Sequence, residues 1–371
     1  MVCRDYPRCL GHPFRLLNTT MTHTQLVVWS GFILGLLFGV VGQRTHYCTA
    51  GGLREWWRED NPRRAAALVI ALSFALLGTQ LSVAFGGLDV RPSIYRQSSF
   101  SWLLMPLGGL LFGYGMMLAR GCGSRALVLL ASGNLRSLVV LLALGVAAAI
   151  TLTGPLAPWR LTMTEWTLVS WATVSVPELL YGGDPVHHVA RLLPVAILVA
   201  VLLRVALVNM KLYRHPWEAA GAALIGLLVP AGWWVTGHWG ADDFEPVPVE
   251  SLTFVAPISD AIQYLMLSTG IRAGFGVTVV AGVLLGACAT ALCAREFQLR
   301  GFDSPRHMLR FLAGGVMMGV GGALALGCTI GQGLTGLSTL AFPSFLAVAG
   351  ILLGAWLSLR GPLRIREQTA V

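Results

Sequence analysis

Two stretches decide the reading of this chain: GGLLFGYGMMLARGC at 108–122 and GGVMMGVGGALALGC at 314–328. They align without a gap and share Gly108/Gly314, Gly109/Gly315, Gly113/Gly319, Gly115/Gly321, Leu118/Leu324, Ala119/Ala325, Gly121/Gly327 and Cys122/Cys328. Each is an apolar, helix-length segment that ends in Gly-Cys. A duplicated segment of this kind predicts two half-sites facing each other near the middle of a membrane, the plan of many transporters.

The rest of the composition agrees. Hydrophobic residues make up 55% and charged residues 12% of the 371 residues, and the mean hydropathy is +0.70. A helix needs about 20 apolar residues to cross a bilayer, and the sequence offers nine such runs. They lie at 24–47, 65–86, 102–120, 137–153, 190–209, 216–237, 274–294, 308–326 and 341–358. Uninterrupted apolar runs, rather than alternating ones, argue against a β-barrel. The fold class expected is therefore all-α: a polytopic membrane protein of about nine transmembrane helices.

Shorter pieces at 49–58, 124–134 and 329–340 each follow a cysteine and are too short to cross. Irregular backbone at membrane depth survives only where protein or a water-filled cavity surrounds it, so these read as re-entrant half-helices. A fourth candidate is 257–269.

Charge placement sets the orientation. The net charge of +9 sits largely in short loops and shows no basic stripe with interleaved aromatics, which excludes nucleic acid as partner. Basic loops at 210–216 and 295–310 read as cytoplasmic, and the acidic loop at 238–250 as external. The 102–120 and 308–326 helices then run in opposite directions, which makes the repeat inverted. The expected organisation is a polar segment at 1–23, a first repeat at 24–153 and an external connection at 154–189 with an interfacial helix. A linking span and second repeat follow at 190–358, with a cytoplasmic tail at 359–371. The N-terminus is expected outside, although Arg4, Arg8 and Arg15 run against that tendency. No cleavable signal peptide is expected.

Seven cysteines form no disulfide framework, and the absence of CxxC or helical HxxxH pairs leaves no expected metal or cofactor. Cys48, Cys122 and Cys328 stand where a long span gives way to a short one. A half-helix starting there aims its N–H groups and dipole at the site, which favours an anion, and a thiol adds a polarizable sulfur. These three are the expected substrate ligands. Arg44, Gly121, Arg125, Gly327, Thr329 and Gln332 are the supporting set. The arginines either attract an anion or snorkel to the surface, and Thr329, Gln332 and Thr335 either donate to substrate oxygens or cap the half-helix. His46 is read as interfacial packing in preference to a proton relay. Cys288 and Cys293 are read as packing.

At these residues, and at GLLFGVVGQRTHYCTAGGLR near the start, the chain resembles the YeeE/YedE family of sulfur-compound transporters. The resemblance implies an hourglass of spanning helices with half-helices at the waist, and thiosulfate uptake across a bacterial inner membrane. It further implies passage along Cys48, Cys122 and Cys328 by S–H···S contacts, and a small cytoplasmic sulfur-carrier protein as partner. Arg125, where the second repeat has Gly331, departs from the internal symmetry. Two alternatives stay open: a membrane-embedded sulfurtransferase with a cysteine persulfide, and a transporter of selenium or another sulfur species. No P-loop for ATP and no carboxylate chain for protons is evident.

Overall fold

The computed structural model describes residues 22–170, 175–181, 188–209, 212, 215–241, 247–302 and 304–362. Cys3, Cys9, Arg4, Arg8, Arg15, Trp171, Asp184, Lys211, Arg214, Arg364 and Arg366 lie outside these residues.

The protein is an all-α, multi-pass membrane protein. Its helices are α1 (His23–Arg44), α2 (Thr49–Glu59), α3 (Arg63–Phe85), α4 (Leu104–Leu118), α5 (Gly123–Ala131), α6 (Leu135–Leu152) and α7 (Ala157–Trp166). They continue as α8 (Val176–Tyr181), α9 (His188–Arg204), α10 (Pro216–Trp234), α11 (Val255–Leu267), α12 (Phe275–Cys293), α13 (Pro305–Leu324) and α14 (Phe342–Leu359). Among the described residues, seven are long and apolar enough to cross a bilayer: α1, α3, α6, α10, α12, α13 and α14. The expected spans at 102–120 and 190–209 are realised as shorter helices. At 15 residues, α4 reaches about 22 Å, and α9 continues into a π-helical turn at Val205–Asn209.

Local signals set the boundaries. Thr22 caps α1 in a reciprocal box with Gln25, Ser304 caps α13 by accepting from His307 N–H, and proline opens α10, α13 and α14. The connection after α6 carries α7, a surface helix with no buried residue and with Trp159 and Trp166 exposed, which suits an interfacial position. One small strand pair, β1 (Ser99–Ser101) with β2 (Leu168–Ser170), ties this connection to the start of α4.

Glycine governs the packing between spans. Without a hydrophobic drive in lipid, helices gain by close approach, and small residues permit it. A Cβ at Gly35 or Gly39 would run into the carbonyls of Val279 and Val283 on α12, and one at Gly282 or Gly286 into those of Phe32 and Leu36 on α1. Gly109 and Gly113 lie on the carbonyls of Ala347 and Ile351 of α14, while Gly315 and Gly319 lie on those of Val140 and Leu144 of α6. At the centre α4 and α13 cross antiparallel. A Cβ at Gly108 would sit 2.7 Å from Gly321 O, and one at Gly321 2.6 Å from Gly108 O. Gly115 and Gly314 repeat the relation, each 2.8 Å from the other's carbonyl.

Two loop faces result. On one, His23 Nδ1 meets Trp239 O at 3.2 Å and Trp102 N–H bonds to Thr167 O. On the other, Gln43 Nε2 donates to Glu296 Oε2 at 3.1 Å, Gln298 N–H bonds to Ser132 O and Arg360 approaches Asp60 at 3.7 Å. This second face gathers Arg44, Arg58, Arg63, Arg64, Arg120 and Arg295 at its helix ends.

Candidate functional site

Three chain reversals build the site, and they share one backbone device. His46, Arg120 and Leu326 adopt left-handed φ values of 52°, 56° and 53°, and each stands two residues before a cysteine. A non-glycine residue there is strained by roughly 1–2 kcal/mol, and such strain clusters at functional sites. In each case the kink stops a span and turns the cysteine to the head of the next short element.

Cys48 is the N-cap of α2, and its Sγ accepts the Gly51 N–H at 3.2 Å. Cys122 is the N-cap of α5, with its Sγ 3.3 Å from Ser124 Oγ. Cys328 Sγ accepts the Gly331 N–H at 3.2 Å. The piece expected at 329–340 is wound as a π-helical turn at Gly331–Gly336, where an α-helical half-helix was expected; those at 49–58, 124–134 and 257–269 are α2, α5 and α11. Cys122 and Cys328 are buried and Cys48 is half-buried. Cys122 lies within electrostatic reach of both other thiols, so it is the middle member.

The supporting residues divide. Arg125 joins the site: it reaches back from α5 to donate to Gly42 O at 3.2 Å and lies 3.4 Å from His46 Nδ1, with its charge felt at Cys48 and Cys122. Arg44 does not join; it is exposed in the last turn of α1, while the cations felt at Cys48 are Arg125 and Arg54. A Cβ at Gly327 would stand 3.0 Å from Gln332 Cγ, which would have to give by a few tenths of an ångström, whereas one at Gly121 would meet only Arg125 at 3.8 Å. Gln332 Nε2 donates to Ala325 O at 2.6 Å and so caps the end of α13. Thr335 donates to Leu252 O at 2.7 Å, which makes it a strut. Thr329 is buried and its hydroxyl has no hydrogen-bond partner. Cys288 packs against the core and Cys293 is exposed.

Several openings lie near the thiols among the described residues. A crevice of about 10 Å³, lined by His46, Cys48, Arg64 and Glu218 among others, opens beside Cys48 on the arginine-rich face. That is room for about one water. A cavity of about 370 Å³ lies between α2, α3, α9 and α14, walled mostly by apolar side chains, with Tyr47, Thr49 and Thr329 also in its lining. Away from those hydroxyls it is a poor environment for an anion.

A family model described as sulphur transport matches residues 44–357. The chain belongs to the sulphur transport family. Within the family it is similar to the thiosulfate transporter TsuA of Escherichia coli (strain K12), at 27% identity over 89% of this chain and 93% of that protein. It is also similar to the thiosulfate transporter TsuA of Spirochaeta thermophila (strain ATCC 700085 / DSM 6578 / Z-1203), at 26% identity over 89% of this chain and 97% of that protein. A shorter stretch, 29% of this chain, is 30% identical to 24% of the probable transporter YedE of E. coli.

The left-handed residues and two tyrosines, Tyr47 and Tyr95, escaped the sequence. Tyr47 directly precedes Cys48, so THYC carried a signal; Tyr95 belongs to the α3–α4 connection and is brought to Cys328 only by folding.

Proposed function

We propose that this member of the family is a bacterial inner-membrane permease that takes up thiosulfate or a closely related sulfur anion along Cys328, Cys122 and Cys48. The observation that carries the reading is the set of three thiols turned by one backbone device, with Cys122 in reach of both others. The terminal sulfur of the anion accepts a hydrogen bond from each S–H in turn. The heads of α2 and α5 and the Arg125 guanidinium offset its charge, so no covalent bond need change. Passage is downhill, drawn by consumption inside the cell.

The positive-inside tendency makes the arginine-rich face cytoplasmic. Cys328 then stands nearest the external face and Cys48 nearest the cytoplasm, with the N-terminus outside and the C-terminus inside. The halves at 24–153 and 190–358 are inverted copies, a reading supported by the reciprocal glycine contacts of α4 with α13. A small sulfur-carrier protein receives the anion at the arginine-rich face.

Uptake of sulfur-labelled thiosulfate into cells lacking other importers tests this. Cys48→Ala, Cys122→Ala and Cys328→Ala should each lower uptake at least tenfold. Unimpaired uptake by all three would overturn the relay.

A further inference from the structure

Buried polar atoms without a hydrogen-bond partner are rare in folded proteins, yet several gather around these thiols. Tyr47 Oη, Thr329 Oγ1, Gln332 Oε1 and Ser344 Oγ are all shut off from the surface and unpartnered, and Tyr95 Oη, equally shut off, has only the Thr253 hydroxyl beside it. Tyr95 Oη and Thr253 Oγ1 flank Gly331, where an added Cβ would stand 3.1 and 2.6 Å from them. Gln332 Oε1 and Ser344 Oγ crowd the next turn at Gly336. Tyr47 lies within electrostatic reach of Cys48 and Cys122, and Tyr95 within reach of Cys328. Every thiol of the site thus has a phenol for a neighbour.

Packing accounts for the rings but not for their oxygens. Tyr95 stacks edge-on against Trp233, centroids 6.1 Å apart, and phenylalanine would stack in the same way. Tyr47 and Thr329 border the 370 Å³ cavity, but an apolar cavity stays dry and supplies no acceptor. The polar groups around the hydroxyls are the thiols, with Cys48 sharing a crevice with Tyr47 and Thr253 standing beside Tyr95. We propose that Tyr47 and Tyr95 recognise the oxygens of the transported anion: their phenol hydroxyls donate to its oxyanion end while the neighbouring thiols engage its soft sulfur. This rests on the transport reading above and adds to it the two residues that would hold the oxyanion end of the substrate. A site built to bond such oxygens discriminates against an anion that lacks them.

The test uses the full chain with Tyr47→Phe and Tyr95→Phe, each removing one oxygen and leaving the ring. In proteoliposomes the apparent KM for thiosulfate should rise about tenfold or more, the effect of losing a hydrogen bond to a charged group. Inhibition by hydrosulfide, a soft anion without oxygens, should be unchanged. In detergent without thiosulfate the melting temperature of Tyr47→Phe should hold or rise, because an unmet buried hydroxyl has been removed. A falling melting temperature with unchanged KM makes the phenols structural and overturns the proposal. Normal transport by both Phe variants beside an inactive Cys122→Ala overturns the phenol assignment alone. Normal transport by all three overturns the transport reading with it.

Discussion

Adding one methyl group at the helix crossing should have the opposite sign to the same change elsewhere. Alanine in place of glycine inside a helix is ordinarily favourable by about 0.8–1 kcal/mol. At Gly108 the new Cβ would lie 2.6 Å from Ala325 N and 2.7 Å from Gly321 O, and at Gly321 2.5 Å from Phe112 N, where ordinary contact begins at 3.4 Å. The helices must therefore part by about 0.8 Å for Gly108→Ala (3.4 − 2.6) and 0.9 Å for Gly321→Ala (3.4 − 2.5). Backbone atoms cannot rotate aside, which puts the strain near the top of the overpacking range, about 3 kcal/mol, and the net loss near 2 kcal/mol. One opening admits both methyl groups, so the double variant should lose well under the sum, about 2–3 kcal/mol. Gly333→Ala, with nothing within 4 Å, is the control and should be neutral or stabilising. The assay is equilibrium unfolding in detergent, followed by thiosulfate uptake, since Ala325 leads directly to Cys328. Gly108→Ala more stable than the parent, or a strictly additive double variant, would refute the reasoning.

Two further outcomes can be checked with standard measurements. Cys48→Ser and Cys328→Ser keep an acceptor for the Gly51 and Gly331 N–H groups, so melting temperature should stay near that of the parent, while uptake falls as steeply as in the alanine variants. Glu250, in the connection before α11, is pushed up to about 7 by burial and by the Asp260 charge. The native state then binds more protons than the unfolded chain between about pH 4.5 and 7, and stability falls as pH rises through that window, by at most about 1.4 kcal/mol per unit. Thermal unfolding at pH 5 and pH 8 should show this loss, and Glu250→Gln should shrink the difference, leaving the part due to Asp260, which burial also pushes up.

What could be read from sequence follows from what repeats or has a period. The spans, the short pieces after each cysteine and the Gly-Cys ends are local patterns, and the structure has helices at those positions. The 102–120 run reads as a full span because hydropathy counts apolar residues; the helix has only the 15 residues between the strand pair and the left-handed Arg120. Left-handed Arg120 and Leu326 were invisible because glycine stands beside each, at 121 and 327, and draws the expectation of unusual dihedrals to itself. Arg44 and Arg125 look alike in sequence, each within four residues of a cysteine. Only the fold separates them, since one ends a helix in the open while the other folds back to Gly42. Tyr95 lies 233 residues from Cys328 in the chain (328 − 95), a distance no pattern bridges.

The crossing of α4 and α13 also links the mutational fates of two distant segments. Each of the four central glycines is held by a carbonyl from its opposite number, so none can gain a side chain until its partner has moved. A side chain added in one segment must first be licensed by a shift of the other, so substitution at these positions is vetoed pairwise. Away from the crossing no such veto operates. There the two segments differ, with Arg125 in one where the other has Gly331, so that a cation stands beside only one of the two cysteines.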